Sequence, residues 1–410
     1  MIGKIINQFI FQFGNYVLPF IIIPFLINKL SLHVYKDFVV IQTLVIFFAV
    51  LVNYGLDLFG VRYISSQKQN KSNCKEFVLT SLICRFSIFI IVSFFLYASL
   101  YYLTAKNIFY WGLCFFWLSS FIFQLNWYFQ GIGDFKSITY YGLLPKAGLY
   151  PLVFVLVEND QDAWVYLLLC ALANYFTNIS MLCHILFKLA GIKVKVDELF
   201  KKIVTFLASG WYIFFSQASV TLISYANVFF LPLLLDTKNY VVFSTADRIV
   251  KVLSIATTPV LNVLFPHISS LILIDKNKAF SLINKTLFLS LMIFFWGYIF
   301  YSFFGFTLTE MLFPKIAKEL HDTLFFLLLN VIFVFANNLY GTQIGLNCGK
   351  DKAFSIIIAL NGAASLILMA LSSYYFGLKG VIFSSLCVQI SILLCMFFLA
   401  KRCGYKLGIK

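Results

Sequence analysis

The chain has 410 residues, of which 61% are hydrophobic and only 11% charged, and its net charge is +15. A soluble domain of this length needs a charged shell that so few charges cannot build, which excludes a soluble enzyme or binding module. The surplus cations lie in short loops between apolar runs, so they point to a membrane surface and anionic lipid rather than to nucleic acid.

Uninterrupted apolar runs such as 86–103 lack the alternation of a barrel strand. They match the roughly 20 residues that an α-helix needs to cross a bilayer. In chain order the runs fall at 5–28, 38–61, 77–103, 108–129, 138–157, 163–187, 203–234, 240–274, 284–306, 322–346, 353–376 and 378–400. The pattern predicts an all-α polytopic membrane protein with about twelve transmembrane helices. The first run lacks a small-residue cleavage site and reads as a span, not a signal peptide. Prolines inside the runs, among them Pro19, Pro24, Pro145, Pro151 and Pro232, predict kinked helices. The eighth run is too long for one span, which leaves extension past the bilayer or a bend at Pro259 and Pro266.

The most polar connection, 191–202, lies near the middle and divides the chain into six-helix halves at 1–190 and 203–410. Weak internal similarity supports a duplication. A glycine turn follows both the fourth run (YFQGIGDF, 128–135) and the tenth (LNCGKDKAF, 346–354). Halves of the same orientation imply a pseudo-two-fold axis along the membrane normal, with a cavity between them. Twenty Lys and Arg fall in the loops of one side and seven in those of the other, which predicts that both termini are cytoplasmic. None of the nine cysteines falls in an outer loop, so no disulfide framework is expected. No Cys/His cluster has metal-site spacing, and no cofactor is expected.

Six ionisable residues lie inside or near the ends of the runs: Asp57, Arg85, Lys146, Asp247, Arg248 and Lys251. A charge at mid-bilayer costs roughly 2.5–3.5 kcal/mol on insertion scales, so each must pair, reach an interface or face water. Asp247, Lys251, Ser254, Thr258 and Asn262 are spaced as one helical stripe. Gln8, Gln12 and Asn15 mark the first run, Asn53 and Asp57 the second, and Asn330, Asn337, Gly341 and Gly345 the tenth. One polar stripe on each of several helices is what a shared aqueous cavity requires. Alternative readings are an internal Asp247–Lys251 ion pair, a snorkelling Lys146, and helix packing by the asparagines and glycines.

The segments NYGLDLFGVRYIS (53–65), WYFQGIGDFKSIT (127–139), FSTADRIVKVLSIATTPVLNVLFP (243–266) and GLNCGKDKAF (345–354) carry a family resemblance. The chain resembles the O-antigen flippases of the polysaccharide transporter family, in the multidrug/oligosaccharidyl-lipid/polysaccharide exporter superfamily. The resemblance implies a bacterial inner-membrane flippase. Its substrate would be an undecaprenyl-diphosphate-linked repeat unit, and its other contacts membrane lipid and the polysaccharide polymerisation machinery, with a monomeric transport unit. It implies head-group contacts at Arg85, Lys146, Arg248 and Lys251 with polar support from Asn15 and Asn53, and coupling or charge-partner roles for Asp247 and Asp57. Ion-coupled relatives in the drug-exporting branch carry an acid in the first span, where this chain has none. A drug exporter of the same superfamily is the main alternative. The less favoured alternative is a membrane-embedded polysaccharide polymerase, which calls for a large outer loop, or an acyltransferase, which calls for a placed histidine, and this chain shows neither.

Overall fold

The computed structural model describes residues 2–67, 69–103, 108–189, 199–225 and 227–405, and every regular element among them is helical. Residues 190–198, most of the predicted central connection, lie outside the described residues. The first run forms α1 (Ile2–Lys29), which continues through Pro19 and Pro24. Ser31 caps α2 (Leu32–Asn53), its hydroxyl accepting from the Val34 amide. α2 ends where Tyr54 and Gly55 take positive φ, and α3 (Phe59–Ser66) follows. Next come α4 (Lys71–Leu103) and α5 (Ile108–Ser120). A 3-10 turn at Phe121–Phe123 and an extended Gln124 separate α5 from α6 (Asn126–Ile132). α7 (Phe135–Leu149) passes through a second 3-10 turn into α8 (Val153–Leu156), and α9 (Ala163–Lys188) closes the first six runs.

Beyond the central connection run α10 (Leu199–Tyr225), α11 (Asn227–Leu234), α12 (Thr237–Ala256) and α13 (Thr258–Ile274). They are followed by α14 (Lys276–Leu312), α15 (Ala317–Leu327) and α16 (Leu329–Asn338). α16 continues as a π-helical stretch, Leu339–Leu346, and α17 (Asp351–Arg402) holds the last two runs. Six helical stretches among the described residues are long and apolar enough to cross a membrane.

Among the interrupted runs are the fourth, read as a simple span, and the eighth, expected to extend or bend. The fourth is interrupted at 121–124, for a reason given below. The eighth breaks at Thr257, just before Pro259 at the start of α13, while α13 continues through position 266. Proline lacks the amide needed to carry the ladder across that point, and it biases the residue before it away from helix.

The chain forms two compact units, Met1–Phe229 and Phe230–Lys410. The division falls one helix later than the predicted 191–202 connection, because α10 packs on α2 and α4 of the first unit. The Tyr54 hydroxyl donates to the Leu207 carbonyl at 2.8 Å, and its ring stacks on Phe214 at 4.6 Å. The glycine turns after the fourth and tenth runs share one geometry. Gly133 and Gly349 have φ 77 and 70. In each, the glycine amide bonds three residues back and the next amide five back (Gly133 to Gln130, Asp134 to Phe129; Gly349 to Leu346, Lys350 to Gly345).

Large apolar side chains cover the outside. On α14, Leu289, Ile293, Trp296, Phe300 and Phe303 are all exposed, which suits a lipid-facing helix with no aqueous side. α17 is broken at Gly377, whose φ 57 and ψ −138 are open essentially to glycine. The fold back is so tight that a Cβ at Gly380 would collide with the Ser372 carbonyl. Gly380→Ala is expected to cost about 1–3 kcal/mol by overpacking and to lower the Tm of the detergent-purified protein. Gly297→Ala, which meets open space, serves as the control. Equal Tm values for the two variants would contradict this packing.

Candidate functional site

Of the four cations singled out in the spanning runs, Arg85 is wholly buried, with no exposed surface. Its Nη1 donates to the carbonyls of Phe121 (3.3 Å), Ile122 (3.0 Å) and Gln124 (2.5 Å). The guanidinium sits 5.6 Å from the Trp127 ring centroid. Trp127 itself donates to the Gln124 carbonyl, and Asn178 donates to the Ser120 carbonyl at 2.9 Å. These donors explain how the fourth run can break. Ending a helix inside a membrane frees carbonyls that lipid cannot satisfy, so the protein must supply the donors. Arg85 therefore holds a helix break and has no exposed surface in this conformation, a setting different from the head-group contact expected of it.

Lys146 has a different setting. Its Nζ donates to Asn15 Oδ1 at 2.5 Å, tying α7 to α1. Both residues are half-buried. Lys146 lies 11 residues into the α7–α8 segment, about 16 Å along it at 1.5 Å per residue, so a lysine stem does not easily bring the charge to either surface. The side chains of Gln8 and Gln12 lie outside the described residues. On the second run, the Asn53 amide donates to Asp57 Oδ2 at 2.7 Å, with Asn53 buried and Asp57 exposed. Asp57 and Arg85 are within electrostatic reach but form no ion pair.

In the second unit, Lys251 pairs with Asp247 at 2.6 Å on the accessible side of α12, their side chains 50% and 34% exposed. Arg248 is half-buried beside them, with no ion pair or hydrogen bond to another described residue. The predicted stripe does not continue as one helical face. At the Thr257 break, Ser254 and Thr257 bond locally, to the carbonyls of Val250 and Ser254, and the Asn262 side chain lies outside the described residues.

The polar residues of the tenth run join helices. Asn330 donates to Ser385 at 2.9 Å and Asn337 to Gln389 at 3.1 Å, linking α16 to α17. A Cβ on Gly341 would press into Phe354 and Met396. This stripe serves packing rather than a cavity lining. Residues overlooked in the sequence are Trp127, Asn178 and Gln343, whose buried amide donates to the Leu261 carbonyl at 2.9 Å. Gln124 and Asn126, two polar residues inside an apolar run, were the readable sign of the break at 121–124. A recess of about 440 Å³ is lined by Tyr54, Ile88, Val204, Leu207, Ala208 and Trp211. None of these is charged. Among the described residues no group of three or more His, Cys, Asp or Glu is arranged to hold a metal.

With Arg85 at the helix break, three of the four singled-out cations remain: Lys146 in one unit, Arg248 and Lys251 in the other. Among the described residues, only Lys251 of these three has a carboxylate partner. The surplus is positive and suits an anionic ligand.

The sequence matches the model of a family described as polysaccharide biosynthesis protein over residues 3–272. It is 23% identical to a "Putative O-antigen transporter" of Escherichia coli (strain K12), covering 89% of this chain and 88% of that protein. It is also 23% identical to a protein of the same description from Shigella dysenteriae, over 96% of this chain and 98% of the relative. Among solved structures, the fold is similar to lipid II flippase MurJ in an inward closed conformation (TM-score 0.70, 13% identity, 98% of this chain and 88% of that one). It is likewise similar to an inward-facing multidrug resistance MATE family transporter of the MOP superfamily (TM-score 0.69, 14% identity, 96% and 94%).

Proposed function

The chain belongs to the polysaccharide biosynthesis protein family, and on that footing we propose that it is a flippase for undecaprenyl-diphosphate-linked polysaccharide repeat units. It moves them from the cytoplasmic to the periplasmic leaflet of a bacterial inner membrane by alternating access. The observation that carries this reading is the unneutralised positive charge within the spanning segments. A diphosphate with an attached glycan cannot enter hydrocarbon, because unpaired polar groups there cost several kcal/mol each. Lys146, Arg248 and Lys251 neutralise the diphosphate as it passes. Asn15 and Asn53 support the polar path, and Asp247 restrains Lys251 when the substrate is absent. The polyprenyl chain remains in lipid. The transport unit is one chain, working beside the polymerisation machinery.

The test is complementation. Expression in a strain lacking its own O-antigen flippase is expected to restore surface polysaccharide, and a Lys146→Ala/Lys251→Ala variant of equal membrane abundance is not. Absence of glycan export by the wild-type chain, with resistance to a cationic drug instead, would favour the drug-exporter reading. The orientation has its own test. Both termini and the 191–202 connection are placed in the cytoplasm, where twenty loop cations lie against seven opposite. Single cysteines at positions 70 and 196 of a cysteine-free variant are expected to resist an impermeant thiol reagent in intact cells and to react in inverted vesicles. Labelling in intact cells would reverse the topology.

A further inference from the structure

The tenth and twelfth runs meet along one seam of the second unit, where the π-helical stretch Leu339–Leu346 packs against α17. Gly341, Gly345 and Cys348 follow one side of the tenth run, and Met396, Leu399 and Cys403 follow one side of the twelfth. These two sides touch. A Cβ on Gly341 would lie 2.9 Å from Met396 Sδ, and one on Gly345 would lie 3.0 Å from Leu399 Cδ2. One step further along, the seam ends in two thiols, and the Cys403 thiol donates a hydrogen bond to the Cys348 sulfur.

Matching turns hold both thiols in place. Each cysteine precedes a glycine of positive φ, Gly349 at 70 and Gly404 at 90. In each turn the amide after the glycine bonds five residues back, Lys350 to Gly345 and Tyr405 to Ala400. The Tyr405 ring lies 5.4 Å from that of Tyr340, and its hydroxyl donates to the buried Asn284 of α14. Both cysteines are partly exposed. Lys350 and Lys276 lie within electrostatic reach of Cys403, and cations beside thiols favour thiolate. Burial nevertheless pushes the Cys403 thiol up to about 11, so Cys403 keeps its proton and Cys348 is the sulfur left to attack.

We propose that Cys348 and Cys403 are a redox modification site, joined by a peroxide into a disulfide that pins the ends of the tenth and twelfth runs together and slows export. The Cys348 thiolate attacks one peroxide oxygen and the O–O bond breaks: R–S⁻ + H2O2 → R–SOH + HO⁻. The Cys403 sulfur then displaces the sulfenic oxygen: R–SOH + HS–R′ → R–S–S–R′ + H2O. The two sulfurs lose two electrons to the peroxide, and a thiol reductant returns them. Both cysteines fall on the side proposed as cytoplasmic, where thiols rest reduced and the bond forms only under oxidant. The tie lies just beyond the π-helical stretch, and such stretches are rare and frequent at functional sites. Alternating access asks helices to shift, and a covalent bond across this seam resists the shift. Only the effect on export rests on the flippase reading; formation of the disulfide does not.

The experiment uses the full-length protein in cells, with hydrogen peroxide as the oxidant. After a pulse, thiols are trapped by acid and alkylation, and mass spectrometry of the digested protein reads whether the peptides holding Cys348 and Cys403 are joined. Unstressed cells are expected to show both thiols free. Peroxide-treated cells are expected to show the joined pair, which dithiothreitol separates. The oxidised protein in detergent is expected to melt about 5 °C above its reduced form, because the bond closes a loop, with no such difference in Cys348→Ser. In cells with this chain as their only O-antigen flippase, peroxide is expected to stop most new surface polysaccharide in wild type and to spare it in Cys403→Ser. A joined pair in unstressed cells, no joined pair after peroxide, or equal loss of export in wild type and Cys403→Ser would overturn the proposal. Failure of the reduced wild type to export glycan would instead sink the flippase reading and the export effect with it, while the mass spectra would still decide the modification site.

Discussion

Arg85→Ala is expected to remove most of the protein from the membrane rather than to leave an abundant, inactive transporter. In the folded chain one guanidinium nitrogen gathers the carbonyls of Phe121, Ile122 and Gln124. After truncation the Phe121 carbonyl keeps the Gln124 amide and the Gln124 carbonyl keeps the Trp127 indole. The Ile122 carbonyl loses its donor. An unpaired buried acceptor costs about 1–3 kcal/mol, and the emptied arginine volume adds a cavity cost. Together these are a large fraction of a typical stability of about 5–15 kcal/mol. Arg85→Met fills more of the space but restores no donor, so it is expected to fall between alanine and wild type in Tm and abundance. The measurements are membrane abundance by immunoblot and Tm in detergent. Wild-type abundance and Tm in Arg85→Ala, with export lost, would return Arg85 to the head-group contacts.

The contrast with Lys146 shows what the sequence could and could not reveal. Both residues stood out as cations in apolar runs. The cost of a charge in hydrocarbon says that each needs a partner, but not which one. The partners of Arg85 lie 36 to 39 residues away, on a helix break that hydropathy does not report. Asn15 lies 131 residues from Lys146, and each was noticed separately without the pairing. Local features were more legible. The apolar runs gave the helices, the glycine turns at Gly133 and Gly349 gave two matching caps, and Pro259 gave the break at Thr257. The packing of α10 on α2 and α4 was hidden, because which helices neighbour one another is decided by long-range contacts. The stripe on the tenth run had the right spacing and the wrong destination. Asn330 and Asn337 meet Ser385 and Gln389 on another helix, and spacing alone does not distinguish a helix partner from water.

Lys251→Ala is expected to abolish most glycan export while abundance stays near wild type. Lys251 and Asp247 form an i, i+4 pair at 2.6 Å, with side chains 50% and 34% exposed. Pairs this accessible are screened and stabilise a helix by only about 0.3–0.5 kcal/mol. Breaking one therefore leaves no costly buried charge, unlike the about 3–5 kcal/mol for a desolvated pair. Asp247→Asn is expected to be mild, since it leaves Lys251 and the half-buried Arg248 available to a diphosphate. Lys251→Arg keeps the charge and is expected to retain more export than Lys251→Ala. The double variant Asp247→Asn/Lys251→Gln is decisive. If Lys251 binds substrate, the double is as inactive as Lys251→Ala, and all the variants are present in the membrane at similar levels. If the pair is structural, each single variant is scarce and the double recovers both abundance and export. A double-mutant cycle read on membrane abundance and on surface polysaccharide separates the two. Recovery of both in the double variant would remove Lys251 from the transport path and leave Lys146 and Arg248 as its cations.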